Sequence, residues 1–218
     1  MNIPPDKLLD YRVRKPKISI QDPPVLFLLN GYGSHEEDLF SFADHLPDDY
    51  LIISLRAPLS LGFGGFAWYT IHFTESQDKW NDKDEAIAVQ QLLLHNISYH
   101  LNQFGLGDKK ISLLGFSQGA IISWAVGLSH PVKIDKIIAL SGYLNEEIFQ
   151  YAKNQTDQLR CFSSHGIQDP TIDVEWTREG INKLKQRKIE LTYKEYPMGH
   201  GINPENFSDL LQWLKANP

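Results

Sequence analysis

The sequence predicts an α/β fold, in which a doubly wound, mostly parallel sheet carries helices on both faces. Short apolar runs alternate with segments of helical period along nearly the whole chain of 218 residues. Val25–Leu29 is an unbroken apolar run, which is typical of a parallel strand covered on both faces. Several glycine-rich stretches directly follow predicted strands. In such sheets, the ligand site lies beyond the carboxyl ends of the strands.

Composition is typical of a soluble globular protein, with 42% hydrophobic and 22% charged residues. The length favours one domain over residues 1–218, with residues 1–24 as N-terminal edge strands or an extension. The net charge is −6 and no run of Lys or Arg stands out. This charge argues against nucleic acid and anionic membrane surfaces as partners.

Cysteine usage and the first residues favour a cytoplasmic location. The single cysteine, Cys161, lies in a strand-like segment, so we expect a buried structural thiol and no intramolecular disulfide. The first six residues have neither a basic nor an apolar leader segment. No apolar stretch reaches the length that spans a bilayer.

The first third of the chain predicts extended segments, two buried strands and a long loop. Tyr11–Arg14 and Ile18–Ile20 alternate loosely and indicate an edge hairpin or extended strands. The buried strands are Val25–Leu29 and Leu51–Arg56, with a helix near 35–45 between them. The predicted loop, Leu59–Tyr69, mixes aromatic residues with glycines.

That loop suits the wall of an acyl-binding cleft, although its aromatic residues could equally cap the core. The expected substrate-binding residues are Leu61, Phe66, Trp68, Tyr69 and Met198.

The rest of the chain alternates between helices and strands. The predicted helices are 83–104, ended by Gly105, then 120–126, 174–188 and 204–216. The predicted strands are 111–114, 134–140, 159–164 and 189–196.

A Gly-x-Ser-x-Gly motif, Gly115–Gly119, lies between a predicted strand and a predicted helix. This context is that of a nucleophile elbow, in which a strained turn lifts the Ser117 hydroxyl above the sheet edge. A glycine-rich turn with an incidental serine is the alternative, and the other residues of the chain must decide between the two.

An acid and then a base follow Ser117 along the chain, in the order that an elbow serine requires. His200 lies in a glycine-flanked turn after the last predicted strand, and Asp169 lies just past the preceding one. Asp173 is the competing acid, but its position near the next helix favours a helix-capping role. We expect His165 to have a core or supporting role, since it precedes the acid.

The other histidines do not form a metal site. Five of them are predicted in helices or at helix ends: His35, His45, His95, His100 and His130. His72, beyond the aromatic loop, has no predicted role. No His, Asp and Glu cluster has the spacing of metal ligands, so no metal site is expected.

An acyl-transfer reaction also needs two N–H donors for its oxyanion. The first candidate is the backbone N–H of Gln118, next to the nucleophile. The second is the N–H of Tyr32, which lies between two glycines after the strand Val25–Leu29.

Taken together, these motifs resemble the acyl-protein thioesterase, lysophospholipase and carboxylesterase family of small α/β-hydrolases. The likeness covers about residues 25–214 and rests on six motifs: Leu29–Gly33, Arg56–Pro58, Gly115–Gly119, Ser141–Tyr143, His165–Asp169 and Gly199–Gly201. One departure is Asn30, where the family usually has His.

The resemblance implies an α/β-hydrolase fold, with Ser117 as nucleophile, His200 as base, Asp169 as orienting acid and no cofactor. It implies a small acyl ester or thioester substrate, and we predict a serine carboxylesterase. The alternatives are a thioesterase or lysophospholipase for longer acyl chains, or a catalytically inert binding module. Stable membrane insertion is not expected. Whether the chain forms a homodimer is left open.

Overall fold

The computed structural model of the chain describes residues 4–73, 79–153 and 156–218. Its main sheet has seven strands in the order β1-β3-β2-β8-β9-β10-β11. These are β1 (Tyr11–Arg14), β2 (Val25–Leu29), β3 (Leu51–Leu55), β8 (Ile111–Phe116), β9 (Ile134–Leu140), β10 (Arg160–Gly166) and β11 (Glu190–Tyr196). Strand β1 pairs antiparallel with β3 at one edge, and the other six strands are parallel.

Within the described residues, five α-helices cover the two faces of this sheet. They are α1 (Glu36–Phe40), α2 (Lys83–Gln103), α3 (Gln118–Ser129), α4 (Val174–Gln186) and α5 (Pro204–Ala216). Apolar residues of α2, α3 and α4 form one buried cluster, and those of α1 and α5 form another. The predicted doubly wound α/β architecture is therefore confirmed.

Two hairpins lie outside the main sheet. The first joins β4 (Leu59–Gly62) to β5 (Gly65–Ala67), and the second joins β6 (Ile71–Phe73) to β7 (Lys79–Asn81). The predicted loop Leu59–Tyr69 is thus largely a hairpin. Its turn uses left-handed backbone at Gly62, Phe63 and Gly64, which glycine adopts at little cost.

Two other expectations need correction. Residues 18–20 form no strand, since only Tyr11–Arg14 finds a free sheet edge, that of β3. The helix predicted near 35–45 is broken into α1 and a 3₁₀ turn at Ala43–His45. Over the described residues, no helix is both long and apolar enough to cross a membrane.

Candidate active site

Ser117 occupies a strained turn between β8 and α3. Its backbone angles are φ 54° and ψ −117°. These values lie outside the φ/ψ regions that residues other than glycine normally adopt. A Cβ on Gly115 would lie 2.2 Å from the Gly119 carbonyl oxygen, and one on Gly119 would lie 2.1 Å from the Leu29 carbonyl oxygen. Both glycines are therefore required, and the turn has the geometry of a nucleophile elbow.

The structure brings the three predicted catalytic residues together. His200 Nε2 lies 2.9 Å from Ser117 Oγ, and His200 Nδ1 lies 2.7 Å from Asp169 Oδ2. A carboxylate can only accept, so Nδ1–H donates to Asp169 and leaves Nε2 to accept the serine proton. This arrangement can activate a serine hydroxyl.

Asp169 is held as a carboxylate by its surroundings. Burial of the side chain disfavours the charge, but the N–H groups of Ile172 and Thr171 and the ring of His200 donate to it and outweigh burial. The pKa of Asp169 therefore lies below its usual value. The competitor, Asp173, instead caps α4 by accepting from the Glu175 N–H.

Two backbone N–H groups adjoin Ser117 and are available as donors. Gly31 is so close that a Cβ on it would lie 3.3 Å from Ser117 Cβ, and this contact brings the next residue, Tyr32, beside the nucleophile. Neither the Tyr32 nor the Gln118 N–H donates to any residue that the structure describes. The Gln118 N–H also belongs to the first turn of α3, whose dipole favours negative charge.

The Gln118 side chain and the Asn30 backbone carbonyl attach the segment that follows the β4–β5 hairpin to the site. Gln118 Oε1 accepts from the Trp68 N–H at 2.8 Å, and its Nε2 donates to the Tyr69 carbonyl at 2.7 Å. Asn30 Oδ1 accepts from the Ala57 N–H at 3.2 Å, while the Trp68 indole donates to the Asn30 carbonyl at 2.9 Å. Asn30 thus supplies polar contacts of its own where the family usually has His.

A cleft of about 270 Å³ opens beside Ser117. Its lining is mainly apolar and aromatic and comprises Tyr32, Tyr69, Ile71, Asn81, Ser117, Gln118, Ile121, Tyr143, Thr171, Ile172, Trp176 and His200. A small apolar cleft with a few convergent polar groups suits a small acyl substrate.

Four of the five predicted substrate-binding residues do not line this cleft; Tyr69 does. Trp68 is fully buried in the core, and Arg56 Cζ lies over the Phe66 ring, 4.7 Å from the ring centroid. Leu61 is an exposed residue of the β4–β5 hairpin, and Met198 belongs to the turn after β11, where its carbonyl accepts from the Gln168 N–H. Phe66 and Trp68 thus anchor the hairpin and do not contribute to the cleft.

Sequence reasoning missed several residues of this region. Ile121, Tyr143 and Trp176 enter the cleft from three separate parts of the chain. Tyr143 belongs to the motif Ser141–Tyr143, but nothing in that motif predicts a place in the cleft, and no motif includes Ile121 or Trp176. The sequence marks Arg56 only as part of the motif Arg56–Pro58. In the structure, its guanidinium donates two 2.6 Å hydrogen bonds to the buried Glu36 carboxylate.

The sheet, its helices and the elbow define an α/β-hydrolase. Comparison with known proteins agrees, because residues 15–217 match the model of the phospholipase/carboxylesterase family. The chain belongs to this family and is a serine hydrolase of carboxylic esters.

Relatives and solved structures fit this assignment. Acyl-protein thioesterase 1 of Kluyveromyces lactis is 27% identical over 168 residues, which cover 74% of this chain and 73% of that protein. The Yarrowia lipolytica thioesterase of the same name is 28% identical, covering 74% of each chain. A carboxylesterase from Bacillus cereus shares the fold, with a TM-score of 0.83, 19% identity and coverage of 96% and 95%. So does acyl-protein thioesterase 2 of Zea mays, with a TM-score of 0.74, 22% identity and coverage of 95% and 98%.

Proposed function

We propose that this chain hydrolyses short-chain carboxylic esters through an acyl-enzyme on Ser117. The observation that carries the proposal is the unbroken hydrogen-bonded series from Ser117 Oγ through His200 to Asp169, at 2.9 and 2.7 Å. In this proposal, His200 is the general base and Asp169 holds the tautomer and orientation of its ring.

The reaction proceeds in two balanced halves. Ser117 Oγ forms a bond to the ester carbonyl carbon while its proton passes to His200 Nε2. The bond to the alkoxy oxygen then breaks, and His200 returns the proton to the departing alcohol. In the second half, a water molecule gives one proton to His200 Nε2 while its hydroxyl oxygen forms a bond to the acyl carbon. The bond between that carbon and Ser117 Oγ then breaks, His200 returns the proton to Oγ, and the free acid departs.

The backbone N–H groups of Tyr32 and Gln118 form the proposed oxyanion hole. Both lie beside Ser117 without an acceptor in the described chain, so they cost no existing hydrogen bond when charge develops on the carbonyl oxygen. The loss of one such donor typically lowers kcat by about 10²- to 10³-fold.

Cleft size favours short acyl groups. A volume of about 270 Å³ is at the lower end of the range for small-molecule pockets. Long-chain thioesters or lysophospholipids are the second candidate, because the curated relatives are named acyl-protein thioesterases. Rates across a series of acyl lengths, on esters and matched thioesters, separate the two. An optimum at long thioesters would overturn the short-ester proposal.

The proposed nucleophile is tested by labelling and hydrolysis together. We expect a fluorophosphonate to label the wild-type protein stoichiometrically at Ser117, and short p-nitrophenyl esters to be cleaved. Ser117→Ala abolishes both activities. Ser123→Ala is the control, since Ser123 lies on α3, the helix that begins directly after Ser117, and its hydroxyl donates to the Gly119 carbonyl. We expect both activities to survive in this variant. Wild-type hydrolysis rates in Ser117→Ala would refute the assignment, and a wild-type protein inert to the label would favour a binding module.

A reducing, cytoplasmic setting is also proposed. Cys161 is fully buried, and this burial raises the pKa of its thiol well above the usual range, which is the environment of an unreactive structural cysteine.

A further inference from the structure

A second imidazole lies against the proposed catalytic acid. His165, near the end of β10, is completely buried. Its Nε2 lies 3.2 Å from Asp169 Oδ2, the same oxygen that accepts from His200 Nδ1 at 2.7 Å. The carboxylate is therefore in contact with two histidine rings, of which His200 alone reaches the nucleophile.

His165 also holds the loop that carries the acid. Its Nε2 lies 2.9 Å from the Ile172 carbonyl oxygen and donates to it. The Ile172 N–H donates to Asp169 Oδ1 at 3.0 Å, as does the Thr171 N–H at 2.8 Å. Ile172 is thus fixed through its N–H by Asp169 and through its carbonyl by His165, so the loop and the carboxylate form one unit.

The other side of the His165 ring is fixed as well. Its Nδ1 lies 2.9 Å from the Thr177 hydroxyl oxygen, which also lies 2.8 Å from the Gly142 carbonyl oxygen. With Nε2 protonated, Nδ1 is an acceptor, so the single hydroxyl proton of Thr177 serves either Nδ1 or the Gly142 carbonyl. Gly142 packs against the elbow, since a Cβ on it would lie 3.0 Å from the Ser117 carbonyl oxygen. The contacts of His165 therefore extend from the acid loop through α4 to the backbone beside the nucleophile.

We propose that His165 is a positioning residue, which sets the Asp169 carboxylate at the place where it can orient His200. The inference rests on the proposed function of Asp169 and His200. A merely structural His165 would fill space and satisfy the Ile172 carbonyl, and its loss would lower stability alone. A positioning role predicts a loss in kcat, because small displacements of catalytic groups cost up to about 10²-fold.

His165→Leu and His165→Gln separate these two roles. Leucine fills similar space but removes both ring nitrogens, and we expect kcat to fall about 10- to 100-fold with KM changed less than about threefold. Glutamine keeps an amide N–H that can reach the Ile172 carbonyl and Asp169. We therefore expect it to recover kcat to within about fivefold of the wild type.

Ser164→Ala is the matched control. Ser164 precedes His165 on β10, so its side chain points to the opposite face of the sheet; it is fully buried and accepts from Asn206 Nδ2 at 2.9 Å. This variant loses a buried hydrogen bond without approaching Asp169, and we expect a lower Tm with an unchanged kcat. All rates are measured well below each Tm.

A second pair covers the case in which His165→Leu does not fold. Thr177→Val removes the hydroxyl that fixes His165 Nδ1, and Thr177→Ser keeps it. We expect kcat to fall several-fold in the first variant alone. In the Ser117→Ala background, the downfield proton NMR signal of the His200–Asp169 hydrogen bond should shift or broaden with His165→Leu but not with Ser164→Ala.

The proposal is overturned if His165→Leu keeps kcat within about twofold of the wild type, or if His165→Gln loses as much as His165→Leu. With an unfolded His165→Leu, a wild-type kcat in Thr177→Val overturns it. Each of these results leaves the Ser117 assignment intact, since that assignment fails only if Ser117→Ala stays active or the wild type is inert.

Discussion

The two sides of the cleft are built in different ways. We call the first side the catalytic edge: Ser117, Asp169 and His200, which follow the parallel strands β8, β10 and β11. The second side, the hairpin wall, consists of the β4–β5 and β6–β7 hairpins, which lie outside the main sheet. This wall reaches the cleft through Tyr69, Ile71 and Asn81, whereas the strands β4 and β5 contribute no lining residue. The catalytic edge thus takes its positions from the sheet itself, whereas the wall must be attached to it.

A small number of contacts holds the β4–β5 hairpin and the residues that follow it against the main sheet. The Gln118 side chain bonds the backbone of Trp68 and Tyr69, and the Trp68 indole bonds the Asn30 carbonyl. The Arg56 guanidinium joins this side to Glu36 and packs on Phe66. We infer that changes at the catalytic edge stop the chemistry, whereas changes in the wall and its attachments alter stability or substrate preference.

The largest effect is expected at the catalytic edge, for Asp169→Asn. The amide can donate to His200 Nδ1, so the ring proton moves to Nε2, and Nε2 then presents an N–H instead of a lone pair to Ser117. We expect kcat for a short p-nitrophenyl ester to fall by about 10⁴-fold.

Asp173→Asn is its matched control. Asp173 caps α4, and asparagine caps a helix about as well as aspartate, so kcat and Tm should stay close to the wild-type values. Equal losses in the two variants would show that the loop, rather than the acid at position 169, governs the rate.

A second, smaller effect is expected at the attachment of the wall, for Glu36→Gln. The hydrogen bonds from Arg56 lower the pKa of the buried Glu36 carboxyl and outweigh the opposing effect of burial. Because Arg56 is partly exposed and keeps Asp10 as a partner, we expect the loss of its charged hydrogen bonds to Glu36 to cost about 1.5–3 kcal/mol, which denaturant unfolding at pH 7 should show. We expect the variant to retain most of its kcat.

The pH dependence checks the cause of that loss. The pKa of Glu36 is lower in the folded state than in the unfolded state. The ionised Glu36 therefore contributes fully to the free energy of unfolding at any pH above its unfolded-state pKa of about 4.3. This contribution is lost as the pH falls through the folded-state pKa. The stability difference between wild type and Glu36→Gln should therefore narrow below about pH 4.3.

Glu37→Gln, at an exposed neighbour, should show a much smaller difference at pH 7. A difference between wild type and Glu36→Gln that is constant down to pH 3 would contradict the ion-pair explanation.

The catalytic edge could be predicted from sequence because its constraints are local. Val25–Leu29, Ile134–Leu140 and Pro204–Ala216 match the structure residue for residue, since apolar runs and turn residues define their bounds. The elbow glycines have no room for a side chain, so their spacing in the sequence carries three-dimensional information. The chain order of Ser117, Asp169 and His200 then needs only the topology of a parallel sheet.

The hairpin wall could not be predicted in this way. The segment from Leu59 to Tyr69 has no long period of its own, and its aromatic residues have different surroundings. Trp68 is buried in the core, Phe66 packs on Arg56, Tyr69 lines the cleft and Phe63 is exposed. Residues 18–20 alternate like a strand but find no partner strand. The contact of His165 with Asp169 depends on how the loop after β10 folds back, which side-chain spacing alone does not specify.

The smallest diagnostic effect, a shift in acyl-length preference, is expected where the two sides meet, for Ile121→Ala. Ile121 lines the cleft from α3, whereas its neighbour Ile122 is completely buried in the core and does not line it. Both substitutions to alanine remove the same methylene volume and should destabilise the protein by about 2–5 kcal/mol. Only Ile121→Ala enlarges the cleft. We therefore expect the preference for longer acyl esters, measured as kcat/KM, to rise about fourfold for each additional CH₂ that the new space buries. This factor corresponds to about 0.8 kcal/mol for each buried CH₂. The measurement is kcat/KM for esters of increasing acyl length, each relative to the acetyl ester of the same variant. A shift of equal size in Ile122→Ala would mean that loosened packing, rather than the shape of the cleft, controls acyl preference.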